Sequence, residues 1–78
     1  MSHVPHGLHE EFPNDHARIH ELKTNDKHFV GITDRYHELN RSIHRVEAEV
    51  EPTSEEVLED MKKQRLALKD EIAAIIAT

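Results

Sequence analysis

The sequence has 78 residues, a formal net charge of −6 at neutral pH and no cysteine. A chain of this size forms one small domain, and the absence of cysteine excludes disulfides, zinc ribbons and thiol catalysis. The acidic balance argues against binding to duplex nucleic acid or to an anionic membrane surface, because both depend on clustered Lys and Arg.

Residues 1–11 are predicted to form a flexible, histidine-rich tail, because they show no apolar period. A helical hairpin domain is predicted over residues 12–78. Its first helix should run from about residue 13 to residue 50. The poor helix formers around Asn25 predict a kink or a break there, with Asp26 able to cap a new helix.

A turn is predicted at residues 51–53, because Pro52 lacks an amide donor and its ring clashes with a preceding helical turn. The second helix is predicted over residues 54–77. Its start fits a capping box, in which the Thr53 hydroxyl accepts from the Glu56 amide and the Glu56 carboxylate reaches back to the Thr53 amide.

Apolar residues recur at alternating intervals of three and four in both predicted helices, which is the spacing of a coiled-coil seam. When the helices are folded about Pro52, Ile43 lies opposite Met61, and the successive layers stay in phase. The pattern predicts an all-α protein, an antiparallel two-helix coiled-coil hairpin with an N-terminal helical extension that is kinked or broken near Asn25-Asp26. The predicted hairpin core consists of Phe29, Ile32, Tyr36, Leu39, Ile43, Val46, Leu58, Met61, Leu68, Ile72 and Ile75.

One position of the seam holds a charge, because Arg65 lies opposite Leu39. Its aliphatic stem is expected to lie along the seam while the guanidinium reaches outward to Glu38 or Asp34. We interpret Arg65 as a residue that fixes the register of the hairpin.

The second helix ends opposite Asp26, so residues 13–25 extend beyond the hairpin. Their apolar side chains need cover, and either the segment folds back or another chain supplies the surface. These side chains and a thinner apolar stripe on the second helix are predicted to form a contact surface. We predict that this surface binds a partner protein, or binds a second copy of the chain to form a homodimer. The predicted partner-binding residues are Ile19, Leu22, Leu66, Ala73 and Ile76.

Three stretches of the sequence carry a family resemblance. They are Leu22-Lys23 with Asp26 and His28-Phe29, then Tyr36-His37-Glu38-Leu39-Asn40 leading to Ile43, and Met61-Lys62-Lys63-Gln64-Arg65-Leu66-Ala67-Leu68-Lys69-Asp70-Glu71-Ile72. The chain resembles the YdcH-like family of small bacterial helical-hairpin proteins, a domain of unknown function. The resemblance covers about residues 12–76 and implies a helical hairpin with no established activity or ligand. The family often has proline just after the position of Asp26, where this chain has Lys27.

Eight histidines are the main oddity of the composition. His16 and His20 lie four residues apart on one helix face, a spacing that can chelate a divalent metal, but no third ligand lies at a matching spacing. We therefore predict no metal and no cofactor. The alternative function is a histidine-based metal-binding or pH-responsive protein, because histidine side chains change charge near pH 6.5, about their ordinary pKa.

No catalytic residues are predicted, because a slim hairpin offers no concave pocket in which a carboxylate could be desolvated. The basic run Lys62-Lys63-Gln64-Arg65 has no neighbouring aromatic residue for base stacking, so we interpret it as a solvated face that pairs with nearby acids. The predicted function is a small non-enzymatic interaction or adaptor module of unknown partner that self-associates. No apolar run approaches the roughly 18 residues of a spanning helix, and we expect a cytoplasmic location.

Overall fold

The computed structural model describes residues 6–48 and 54–78 of the chain. Every regular element in these two ranges is an α-helix, and the prediction of an all-α protein is confirmed. The residues 1–5 of the predicted tail and the predicted turn at 51–53, which includes Thr53, lie outside the described residues. The helices are α1 (Leu8–Glu11), α2 (His16–Asn25), α3 (Lys27–Glu47) and α4 (Glu55–Ala77).

Helices α3 and α4 pack against each other in opposite directions and form the predicted hairpin. In the middle of the hairpin, Nη1 of Arg65 donates to Oδ1 of Asn40 at 2.9 Å. Towards the turn, Nζ of Lys62 lies 3.0 Å from Oε2 of Glu47. Rising residue numbers along α3 therefore meet falling numbers along α4, which is the antiparallel order that the seam predicts.

All eleven side chains that the seam spacing predicts for the hairpin core are buried or partly buried. Five of them are at most 1% exposed, and the others are partly buried. Burial of such aliphatic and aromatic side chains contributes about 1.5–3 kcal/mol each to the stability of a fold. The first group is Phe29, Ile32, Tyr36, Ile43 and Ile72, and the second is Leu39, Val46, Leu58, Met61, Leu68 and Ile75.

Arg65 lies at its predicted place in the hairpin, but its partner differs from the prediction. The guanidinium donates to the side chain of Asn40, which is only 4% exposed, and not to Glu38 or Asp34. Glu38 instead accepts from Arg41 on its own helix at 2.8 Å. The Asn40 oxygen takes the guanidinium because a buried amide needs a hydrogen-bond partner more than an exposed carboxylate does.

The first predicted helix is broken at Asp26, as its poor helix formers indicate. Helix α2 ends at Asn25 and α3 begins at Lys27, while Asp26 itself has an extended backbone with φ −129° and ψ 102°. Its Oδ1 accepts from the amides of His28 at 3.0 Å and Phe29 at 3.1 Å, which makes Asp26 the N-cap of α3. The break turns α2 back along the hairpin.

The ends of the first predicted helix differ from the expected residues 13 and 50. Helix α2 begins only at His16, because the Asp15 amide donates to the Phe12 carbonyl at 3.2 Å and closes a turn there. Helix α3 ends at Glu47, and the residue that follows it, Ala48, closes the last turn by donating to the His44 carbonyl.

The N-cap of α4 is Ser54, one residue later than the predicted Thr53. The Ser54 hydroxyl accepts from the Val57 amide at 3.2 Å, and the helix begins at Glu55. Since Val57 then occupies the third helical position in place of Glu56, no carboxylate stands where a capping box requires one. The structure thus has a single hydroxyl cap at Ser54, and Thr53 of the predicted reciprocal cap lies outside the described residues.

Residues 8–11 differ from the flexible tail that their sequence predicts. They form helix α1, and its first residue, Leu8, is only 2% exposed. Leu8 belongs to the hydrophobic core, and Phe12 packs against the edge of the same cluster. A helix of four residues shows no apolar period, so periodicity could not reveal it.

Candidate functional site

Residues 6–25, which we call the arm, fold back along one side of the α3–α4 hairpin. Three apolar side chains fix the arm there: Leu8 and Ile19 are 2% exposed, and Leu22 is 8% exposed. They form one cluster with hairpin residues from both helices. The hairpin residues in this cluster are Phe29, Ile32, Tyr36 and Ile72.

The packing of the arm itself covers Ile19 and Leu22, the two residues of the segment that were predicted to anchor a partner. Both side chains are buried by the same chain, because the break at Asp26 turns α2 back onto the hairpin. The sequence leaves open whether this segment folds back or is covered by another chain. In the structure, the segment folds back.

Polar contacts hold the beginning of the arm against the hairpin. The Tyr36 hydroxyl donates to the His6 carbonyl at 2.7 Å. The Glu11 carboxylate accepts from Nδ1 of His6 at 2.7 Å and from Nζ of Lys69 at 3.3 Å. These two hydrogen bonds, the one from His6 first, lower the pKa of Glu11 against the opposing effect of burial. Burial and then the charge of Glu11 raise the pKa of Tyr36, which keeps its hydroxyl a neutral donor.

Helix α2 also reaches the far end of α4. Nε of Arg18 donates to the carbonyl oxygen of Ile76 at 3.5 Å, and Nη1 of the same side chain contacts Oε1 of Glu21 at 2.6 Å. The arm therefore contacts the hairpin from Tyr36 and Lys69 to the last turn of α4.

The opposite side of the hairpin is an open groove of about 790 Å³ between α3 and α4. Most of the surface that the groove exposes is apolar, although five of its eight lining residues are polar or charged, and Leu39 and Leu68 from the seam are partly buried in it. The seam spacing predicts these two leucines to be core residues. It could not indicate that no other described element covers them on this side of the hairpin. The open groove is lined by Asp34, Arg35, Glu38, Leu39, Ser42, Gln64, Ala67 and Leu68.

A smaller cavity of about 200 Å³ lies where the arm meets α4. It brings together three basic side chains of α4, but each contacts an acid or an amide of the same chain. Lys62 contacts Glu47, Lys69 contacts Glu11, and Arg65 contacts Asn40. The arrangement stabilises the packing of the arm and the hairpin. The cavity is lined by His6, Glu11, Tyr36, Lys62, Arg65, Leu66 and Lys69.

The predicted outer stripe of Leu66, Ala73 and Ile76 does not form one exposed surface. Leu66 is 57% exposed, whereas Ala73 is partly buried and Ile76 packs against the core cluster. The arm contacts the last turns of α4, so of these three residues only Leu66 is exposed.

His16 and His20, the two histidines considered as metal ligands, contact different groups. Nε2 of His16 donates to the carbonyl of His9 at 3.2 Å, and the two rings meet edge to face with centroids 4.5 Å apart. His20 contributes its backbone carbonyl to the Thr24 hydroxyl. Within residues 6–48 and 54–78, no group of three His, Cys, Asp or Glu side chains is arranged to hold a metal ion.

We expect the protein to lose stability in mild acid through His37, which is partly buried on α3. Burial is the largest cause of a lowered pKa for His37, and the charges of Lys23 and Arg41 lower it further. Asp34 acts in the opposite direction, and His9 adds a small lowering. The unfolded chain regains the ordinary histidine pKa of about 6.5 and binds more protons than the folded chain just below it. The free energy of unfolding should therefore fall as the pH drops below about 6.5, and level off below the folded-state pKa.

The matched variants His37→Gln and His20→Gln test this expectation, because His20 is exposed on α2. Urea unfolding at neutral and mildly acidic pH should show a shallower pH dependence for His37→Gln than for His20→Gln. An equal pH dependence in both variants would contradict the role of His37.

The arm and the hairpin define the class of the protein. It is a small all-α protein whose antiparallel helical hairpin is covered on one side by its own N-terminal arm and is open on the other. Among the described residues, no helix is both long and apolar enough to cross a membrane.

The chain belongs to the family described as "Protein of unknown function (DUF465)", whose model matches residues 29–76, more than half of the sequence. This match confirms the resemblance to a small helical family of unknown function. The matched residues take in most of α3 and α4 and leave out the arm. No curated protein and no solved structure matches the chain significantly.

Proposed function

We propose that the protein is a non-enzymatic interaction module that holds an amphipathic helix of a partner protein in the open groove. The observation that supports this proposal is the groove itself, about 790 Å³ with a mostly apolar exposed surface between two packed helices. Grooves of this kind bind a helix through apolar side chains spaced three or four residues apart.

The arm side of the same hairpin supports the proposal, because the hairpin already binds a helix there. There, α2 of the arm packs onto α3 and α4 through Ile19 and Leu22, which are three residues apart. The hairpin thus already binds one short helix through this spacing. The open groove offers a partner helix two similar helical walls, with Leu39 and Leu68 at its floor.

The negative charge of the whole chain favours a partner with basic flanks on its helix. Asp34 and Glu38 bring two carboxylates to the α3 side, where Arg35 also lines the groove and Arg41 contacts Glu38 at 2.8 Å. The whole chain carries a net charge of −6, which adds to the attraction of a basic partner. We therefore propose a partner helix with an apolar face and Lys or Arg at its edges.

Site-specific photocrosslinking in cells of the native organism tests this function. A photoreactive residue at Ser42, inside the open groove, should give a discrete adduct with another protein, whereas one at the exposed Lys63 should not. The substitution Ala67→Arg places a charge on the groove wall and should reduce the Ser42 adduct about tenfold, the effect of losing 1.4 kcal/mol of binding free energy.

Ala74→Arg is the matched control, because Ala74 is an exposed alanine of α4 that does not line the open groove. Arginine is a good helix former at both positions, so neither variant should lose the fold. Equal adducts in Ala67→Arg and wild type would contradict the proposal. A Ser42 adduct that contains only a second copy of this chain would contradict it too.

A further inference from the structure

We propose that two copies of this chain exchange their arms by straightening the hinge at Asp26, so that each arm covers the hairpin of the other copy. The exchange uses the arm side of the hairpin, so it goes beyond the proposed function of the open groove. In the proposed dimer, the surface around Phe29 and Ile72 binds the arm of the second copy.

The hinge is a single residue. Helix α2 ends at Asn25 and α3 begins at Lys27, and the amide of Asp26 already donates to the Leu22 carbonyl at 2.8 Å. The Asp26 carbonyl likewise accepts from the Val30 amide at 3.1 Å. Both bonds have the four-residue spacing of an α-helix. Straightening the hinge therefore requires a change of conformation at one residue, with helical bonds already in place on both sides.

The Asp26 carboxylate opposes this change. Its Oδ1 accepts from the amides of His28 and Phe29 at 3.0 and 3.1 Å. In a continuous helix these two amides would donate to the carbonyls of Thr24 and Asn25 instead. The two conformations thus compete for the same amides, and the N-cap side chain favours the bent one.

A continuous helix would run over residues 16–47 and would be about 48 Å long at 1.5 Å per residue. The arm would then point away from its own hairpin. Ile19 and Leu22 would lose their cover, and so would Phe29 and Ile72, which are now completely buried. A single open chain is destabilised by this exposure of apolar side chains. A second open copy restores the same contacts around a two-fold axis beside the hinge.

The apolar spacing supports the straight conformation as well as the bent one. Leu22, Phe29 and Tyr36 follow each other at intervals of seven residues, although the first lies before the break and the others after it. In a continuous helix they would share one face. The arm of each copy would therefore present an uninterrupted apolar seam to the other copy.

The variant Asp26→Ala tests the exchange by removing the cap. Sedimentation equilibrium should show a dimer whose dissociation constant is about tenfold lower than that of wild type, because the bent hinge loses its stabilising side chain. Ser54→Ala is the matched control, because it removes the hydroxyl cap of α4 and leaves the hinge unchanged. Its dimer dissociation constant should equal that of wild type.

The arrangement within the dimer is tested with a mixed sample of isotopically labelled and unlabelled Asp26→Ala protein. Intermolecular NOEs should connect the methyl groups of Ile19 and Leu22 with the ring of Phe29. A dimer whose arm NOEs are all intramolecular would overturn the proposal. So would a single-chain mass at every concentration, or intermolecular NOEs confined to Leu39 and Ala67 in the open groove.

Lys27→Pro provides a second test that does not depend on weakening the fold. Proline suits the first position of α3, and Asp26 before it already has the extended backbone that proline requires. In a straight helix the same ring would clash with the Lys23 carbonyl. Lys27→Pro should therefore weaken the dimer by more than about tenfold. An unchanged dissociation constant would overturn the exchange.

Discussion

The variant Phe29→Ala is expected to lose about 3–5 kcal/mol of unfolding free energy, the usual cost of truncating a buried phenylalanine. Phe29 is completely buried in the cluster where α3 meets both α4 and the arm. Removing its ring leaves a cavity shared by three elements, none of which can move in without losing other contacts. A small domain has a total stability of only about 5 kcal/mol or somewhat more, so much of the variant should be unfolded at room temperature.

Urea unfolding followed by circular dichroism measures this loss, and a stabilising osmolyte recovers a folded baseline if the variant is largely unfolded. Leu66→Ala is the control, because Leu66 is a large apolar side chain that is 57% exposed. Its unfolding free energy should stay within about 0.5 kcal/mol of wild type. Equal losses in the two variants would show that Phe29 does not connect the arm to the hairpin.

The variant Leu8→Ala is expected to weaken the docking of the arm by about 2 kcal/mol or more. Leu8 is 2% exposed and belongs to the same cluster as Ile19 and Tyr36, although it lies close to the chain terminus. The loss should appear first as local opening of α1 and α2, because the break at Asp26 allows the arm to undock while the hairpin persists.

Hydrogen exchange at the amides of α2 measures this opening directly. Protection at Ile19 and Leu22 should fall by more than tenfold in Leu8→Ala, which corresponds to about 1.4 kcal/mol, while protection in the middle of α3 changes less. Val57→Ala is the control, because Val57 is 49% exposed at the start of α4. If Leu8→Ala and Val57→Ala leave α2 equally protected, Leu8 does not hold the arm.

The hairpin could be predicted from the sequence because its information is local and periodic. The seam places Phe29, Tyr36 and Ile43 on one face of α3, and the structure buries all three completely. The break at Asp26 was predictable for the same reason, since capping and helix propensity act over a few residues.

The arm could not be predicted, because its position depends on contacts between distant parts of the chain. Glu11 meets Lys69, and the His6 carbonyl meets Tyr36, at separations of 58 and 30 residues. Neither pair leaves a periodic signal in the sequence. The direction in which α2 turns also decides which side of the hairpin stays open, so the open groove was beyond prediction for the same physical reason.

The contact between Arg18 and the Ile76 carbonyl places a positive charge of the arm at the C-terminal end of α4. Helix α4 has 23 residues and no basic residue in its last turn, so the partial negative charge at the end of its macrodipole has no cation from its own helix. The arm brings the guanidinium of Arg18 to that end. When no arm is bound, the last turn of α4 loses its compensating charge and should fray, so order in this turn reports whether an arm is bound.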